Sequence, residues 1–179
     1  NIGIIGKGFV GNAVAQGFSS GSGYESNMYI YDKNPDLSQN TLEEVVTKSQ
    51  FIFISVPTPS NIDGSINLDI VSSVIDDIDK IKTTNDPIVL LRSTIVPGTS
   101  KKIQSLYPNL RIVFNPEFLT ERSAVFDFLS QSRYVLGGEK ENTSLVANLY
   151  RHRFGKSISV IETDYETAEL IKYVCNCFF

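Results

Sequence analysis

Short apolar runs recur along this chain with helical patterns between them, a rhythm that leaves few folds open. The runs are Ile2–Ile5, Met28–Tyr31, Phe51–Val56, Ile88–Leu91, Arg111–Phe114, Tyr134–Leu136 and Ser157–Ile161. Phe51-Ile52-Phe53-Ile54 is apolar without alternation, as expected of a strand covered on both faces. Helical patterns are read at Val10–Phe18, Leu42–Lys48, Leu68–Lys82, Thr99–Leu106 and Asn142–Arg153. Asn67 is placed to cap the third of these, and Gly98 follows Pro97 in a turn into the fourth. Strand and helix in alternation predict an α/β fold, a mostly parallel, doubly wound (Rossmann) sheet flanked by helices. Ser19–Asn27 reads as the one linker-like stretch. A last helical pattern begins near Thr163 or Asp164 and runs to Phe178-Phe179 without a stop signal, and the chain starts at Asn1 already entering a strand. A domain of residues 1–162 is therefore expected, with 163–179 opening a further element of a longer protein.

The 179 residues suffice for one domain with a sizeable core, and a hydrophobic share of 41% is ordinary for a globular protein. A net charge of -4 argues against a nucleic-acid binder, which needs a basic face to displace counterions. No apolar stretch reaches the roughly 18 residues of a membrane span, and no leader pattern opens the chain, so a cytoplasmic setting without membrane partners is expected. Cys175 and Cys177 lie two apart on a helical pattern, where their side chains diverge by about 200° and do not readily bridge. They are read as small buried or interface side chains. With a single histidine, His152, no metal site is expected.

Gly6-Lys7-Gly8-Phe9-Val10-Gly11 follows directly on the first apolar run, and Asp32 closes the second about 20 residues later. In that setting Gly6 permits a tight turn, Gly8 lets backbone approach a pyrophosphate, and Gly11 allows close packing of the helix. The unpaired amides at the helix start favour phosphates. Asp32 accepts hydrogen bonds from ribose hydroxyls and repels a 2′-phosphate, which favours NAD over NADP, although the adjacent Lys33 softens the preference.

Ligands of such sheets bind at the carboxyl ends of the strands, and the loops there are chemically unusual. They are Ser55-Val56-Pro57-Thr58-Pro59-Ser60, Arg92-Ser93-Thr94-Ile95-Val96-Pro97-Gly98-Thr99 and Asn115-Pro116-Glu117-Phe118-Leu119-Thr120-Glu121. Hydroxyls, a carboxylate pair and rigid proline turns thus gather on one rim.

Through these motifs, and through Ala168-Glu169-Leu170-Ile171-Lys172-Tyr173 with Asn176, the chain resembles the N-terminal part of the nucleotide-sugar dehydrogenases. The resemblance implies NAD-dependent oxidation of a sugar's primary alcohol to a carboxylate in two hydride transfers through a cysteine thioester, with a UDP-sugar, UDP-glucose above all, as substrate. It implies that Val56, Pro57, Thr58 and Pro59 line the adenosine and ribose side of NAD, that Ser93 touches the cofactor, and that Thr94 helps hold a water. Glu117 matches the family's general base and Glu121 an acid near nicotinamide and substrate, with Phe118, Leu119 and Thr120 on the substrate side. Lys172 and Asn176 match donors to a developing oxyanion; spaced by four on a helix, they project from one face.

The family's nucleophilic cysteine, the rest of its dimer-forming region and its second nucleotide-binding domain have no counterpart in this sequence. The implied partner is a second copy in a homodimer of the full-length protein. Arg122 stands where the family often has glycine, and Lys33-Asn34-Pro35-Asp36 is short and lacks an arginine some members carry. Two rivals remain open: a β-hydroxyacid or 6-phosphogluconate-type dehydrogenase, which needs no thiol, and a non-catalytic NAD-binding module.

Overall fold

The computed structural model describes residues 1–178; Phe179, on which the expected last helix ends, lies outside the described residues. The strands are β1 (Ile2–Ile5), β2 (Met28–Tyr31), β3 (Phe51–Ile54), β4 (Ile88–Leu91), β5 (Arg111–Phe114), β6 (Arg133–Gly138) and β7 (Ser159–Thr163). The helices are α1 (Phe9–Gly17), α2 (Leu42–Lys48), α3 (Asp69–Lys80), α4 (Thr99–Leu106), α5 (Ala124–Ser130), α6 (Lys140–Phe154) and α7 (Tyr165–Phe178), with short 3-10 turns at Ser20–Ser22 and Glu121–Ser123. The strands form one sheet in the order β2-β1-β3-β4-β5-β6-β7. Every neighbouring pair is parallel except β5 and β6, which run antiparallel through Val113↔Gly138 and Phe114↔Gly137.

Because successive residues of a strand point to opposite faces, each strand feeds two cores. Ile4, Phe53, Leu90, Val113 and Leu136 meet Val14 of α1, Phe18 at the C-cap of that helix, Phe128 of α5 and Tyr150 of α6 on one side. On the other, Ile5, Ile54, Leu91, Phe114 and Val135 meet Val45 of α2, Ile75 of α3, Ile103 of α4 and Ala168 of α7. Two helical layers around one sheet explain why β1, β3 and β4 are apolar at nearly every position.

Several local expectations are revised. β3 stops at Ile54 rather than Val56, because the backbone of Val56 turns to pair with the Ser93 side chain. Asn67 lies just ahead of α3 and accepts from the amide of Asp69 at 2.8 Å, while Leu68 is the residue at the cap position. Ser19–Asn27 is not a loose linker: Arg153 of α6 donates to the carbonyls of Gly17 and Ser22 and to Oγ of Ser22, and Ser26 Oγ donates to Phe18 O. The first turns of α7 are part of this body, with Tyr165, Ala168, Glu169 and Lys172 buried, whereas Leu170, Val174 and Phe178 face outward.

Candidate active site

The carboxyl ends of β1 to β5 share one edge of the sheet, and the chemistry-bearing residues gather there. At its head the Gly6–Gly11 turn carries the chain from β1 into α1. Gly6 holds φ at +88°, a region that side chains avoid, and a Cβ on Gly11 would lie 1.9 Å from the Gly6 carbonyl oxygen. Gly11 therefore serves the closure of its own turn more than packing on the sheet. Gly8 borders open space, with no atom within 4 Å of where its Cβ would be, and no side chain caps α1. The first-turn amides of that helix, at Phe9, Val10 and Gly11, are thus presented to an incoming anion.

Asp32 follows β2 beside this turn. Its Oδ2 accepts from the Lys7 amide at 2.6 Å and its Oδ1 from the Asn34 amide at 2.8 Å. Each oxygen retains a lone pair for a ribose hydroxyl, and the carboxylate is fixed where a 2′-phosphate would meet its charge. Lys33 is exposed next to it.

On the neighbouring rim, Pro57 and Pro59 are exposed and Val56 and Thr58 half-buried. Ser93 Oγ donates to Val56 O at 2.7 Å and accepts from Val56 N at 3.1 Å. Its one proton is therefore committed to tying the β3 and β4 loops together, and any contact with a cofactor would use its remaining lone pair. Thr94 follows, half-buried.

Beyond β5 the loop delivers Glu117, which meets Lys172 arriving from α7. Lys172 Nζ lies 2.7 Å from Glu117 Oε1 and also donates to the Glu117 carbonyl, with side-chain exposures of 4% and 12% for the lysine and the glutamate. Glu117 Oε2 accepts from the Leu119 amide at 2.7 Å, and the Phe118 ring centroid is 5.5 Å from the ammonium. An ammonium has three donors; two are engaged here, leaving one for a ligand oxygen. One turn on, Asn176 is exposed in an open cleft of about 670 Å³ that also includes Phe118, Leu119, Thr120, Arg133 and Cys175. Glu121 and Arg122 border a second, smaller cleft of about 340 Å³ with Phe9 and Asn12 at the start of α1.

Cys175 is half-buried and lines the larger cleft, 3.7 Å from Arg133 Nη2, and Cys177 is exposed; of the two expectations, buried or interface side chains, only burial within the described residues is set aside. Among the described residues no cluster of metal-ligating side chains is present, and no helix is long and apolar enough to cross a membrane.

Two features went unread in the sequence. Arg92, 2% exposed, donates to Asn115 Oδ1 at 2.6 Å and approaches Tyr150 Oη at 3.4 Å, while Asn115 Nδ2 donates to Val135 O at 3.0 Å. This buried network braces the root of the Glu117 loop, and its signal was a charge ending the wholly apolar run Ile88–Leu91. Glu169 is the other: fully buried, it belonged to a motif without a role of its own.

The profile of the UDP-glucose/GDP-mannose dehydrogenase family's NAD binding domain matches residues 26–154, well over half of the chain. The chain belongs to that family. An uncharacterized protein of Methanocaldococcus jannaschii is 35% identical over 155 residues, 81% of this chain and 17% of that protein. The UDP-glucose 6-dehydrogenase of Rickettsia prowazekii is 36% identical over 132 residues, 71% of this chain and 30% of the enzyme. Among solved structures, a UDP-glucose dehydrogenase from Pyrobaculum islandicum superposes with a TM-score of 0.82 at 25% identity, covering 99% of this chain and 49% of that one. The chain thus spans less than a third of these curated relatives and about half of that solved chain. NAD is the cofactor of this family domain, and the open Gly8 position, the uncapped α1 and the fixed Asp32 carboxylate fit it.

Proposed function

We propose that this chain is the NAD-binding part of a nucleotide-sugar 6-dehydrogenase of the UDP-glucose type, and that residues 163–179 lead into the segments that complete the enzyme. The observation that carries this reading is the buried meeting of Lys172 with Glu117 on the same sheet edge as the glycine turn. A mere coenzyme-holding module has no need of an ammonium and a carboxylate drawn together across 55 residues of sequence. The motif around Glu117 supports this reading over the single-transfer dehydrogenases as well.

NAD, when bound, supplies the hydride acceptor. The turn at Gly6–Gly11 with Lys7, Phe9 and Val10 holds its pyrophosphate, Asp32 and Lys33 its ribose, and Val56, Pro57, Thr58 and Pro59 its adenosine side, with Ser93, Thr94 and Glu121 towards the reacting end. Lys172, with its remaining N–H, and Asn176 stabilise negative charge building on a carbonyl oxygen of the sugar. Glu117 takes a proton from water, which its free lone pairs permit once that water sits within hydrogen-bond reach. Phe118, Leu119, Thr120 and Glu121 border the substrate. The nucleophilic thiol comes from the remaining segments, and a homodimer of the full-length protein completes the assembly.

Two experiments test this. Titrated with either cofactor, the chain binds NAD at least about tenfold more tightly than NADP and oxidises no sugar on its own. The complete protein, offered a panel of UDP- and GDP-sugars while NADH absorbance is followed, reduces NAD with UDP-glucose, two equivalents per sugar. Sugar oxidation by residues 1–179 alone, or a stoichiometry of one, contradicts the proposal.

A further inference from the structure

Glu169 is the buried charge on α7 for which the proposed chemistry has no use. Its side chain is fully enclosed, yet among the described residues it has no ion-pair partner. Instead Oε2 accepts from the Gly98 amide at 2.5 Å and Oε1 from the Ser100 amide at 2.8 Å. Gly98 is the N-cap of α4, with φ at +93° and no side chain of its own to offer, so a carboxylate from another helix supplies the cap. Its negative charge also suits the positive end of the α4 dipole. Both bonds are charge-assisted and sheltered from water, which places them among the stronger hydrogen bonds of the molecule.

The geometry extends beyond helix docking. Gly98 closes the loop that begins at Ser93 and Thr94, and Glu169 stands three residues before Lys172, on an adjoining part of the same helix surface. This enclosed carboxylate, with an exposed Lys101–Glu166 ion pair of 2.9 Å beside it, therefore ties the loop carrying Thr94 to the helix carrying Lys172, and Lys172 in turn holds Glu117, whose Oε2 keeps the Leu119 amide. Gly137 allows the close approach: a Cβ there would lie 2.5 Å from the Ala168 Cβ.

We infer that Glu169 is a positioning residue: by capping α4 it holds Lys172 and Glu117 in register with the cofactor-side loop, without touching NAD or sugar. This rests on the dehydrogenase reading above for its kinetic part only. In the complete enzyme, Glu169→Gln keeps the shape but turns one acceptor into a donor facing an N–H. It lowers kcat about 10- to 100-fold, as a misplacement of about an ångström does, and leaves the Kd for NAD within about twofold. Combined with Lys172→Ala, it slows the enzyme by no more than about twofold beyond Lys172→Ala alone, because its effect passes through that lysine.

A second measurement needs no turnover. Amide hydrogen exchange in Glu169→Gln accelerates at Gly98 and Ser100, and at least about tenfold at Leu119, whose N–H is held through Glu117, while the Lys7 amide held by Asp32 keeps its rate. An unchanged rate at Leu119, a loss of NAD binding in step with kcat, or full additivity with Lys172→Ala overturns the inference. Failure of the complete wild-type protein to oxidise any nucleotide sugar overturns the functional reading instead, and the exchange pattern then decides the position of Glu169 by itself.

Discussion

Lys172 and Glu117 pose the sharpest energetic question at the level of single residues, because each is nearly enclosed and each relies on the other. Removing one partner of a buried pair strands the other charge in a medium that solvates it poorly. Lys172→Met is therefore expected to cost about 3–5 kcal/mol in denaturant unfolding, with most of the loss recovered in Glu117→Gln/Lys172→Met. Gly11→Ala meets a harder obstacle, since its new methyl would overlap the Gly6 carbonyl oxygen. The turn must open, and NAD binding measured by calorimetry falls by about 100-fold or more, equivalent to about 2.7 kcal/mol. Individual residues were legible where backbone geometry fixes their type, as with Gly6 at φ +88°. What escaped was the partner each would take. That Ser93 ties down Val56, or that Glu169 caps a helix 69 residues away, depends on which loops the sheet brings side by side, and no spacing along the chain encodes that.

Elements were readable where the sequence marks both of their ends. β1, β2, β4, β5, α2 and α4 stand at the expected residues because their apolar patterns are unbroken or sharply capped; Thr41 and Glu44, for example, form a reciprocal capping box ahead of α2. β7 lies at the sheet edge, half-exposed, and begins two residues later than its apolar pattern suggested. α5 was missed altogether: seven residues long, it follows a polar turn and exposes Phe126, so its periodicity is weak. Its position is nevertheless demanding. Gly17 of α1 packs directly on Phe128 of α5, and a Cβ at Gly17 would come 2.1 Å from the ring. Phe128 is itself fully enclosed, among the rings of Phe18, Tyr134 and Phe154, and has nowhere to move. Gly17→Ala should therefore destabilise the chain by about 1–3 kcal/mol, read from the midpoint of urea unfolding, despite alanine's better helix propensity.

For the molecule as a whole, the two enclosed faces of the sheet predict how it fails in base. Burial pushes the Tyr150 phenol up to about 12, with the nearby Arg92 opposing, and burial followed by the charge of Glu139 raises Tyr165 to about 12. A raised value means that the folded chain retains protons which the unfolded chain gives up. That stabilisation is complete below the ordinary tyrosine value of about 10 and is lost as pH climbs towards the folded values. Unfolding followed by circular dichroism should steepen across this interval, in step with tyrosinate absorbance, and Tyr150→Phe should make the dependence shallower. The doubly wound plan was legible from the alternation of strand and helix, but the reversal at β6 was not, since an apolar run reads the same in either direction. That reversal decides which end of α7 reaches the ligand edge. With β6 and β7 pointing the other way, the helix after β7 sets out from the far rim and climbs back towards the ligand edge. A protein built in one strand sense throughout would greet its ligand there with helix amides, suited to phosphate; by turning two strands around, this one substitutes a lysine and an asparagine borne on the body of a helix.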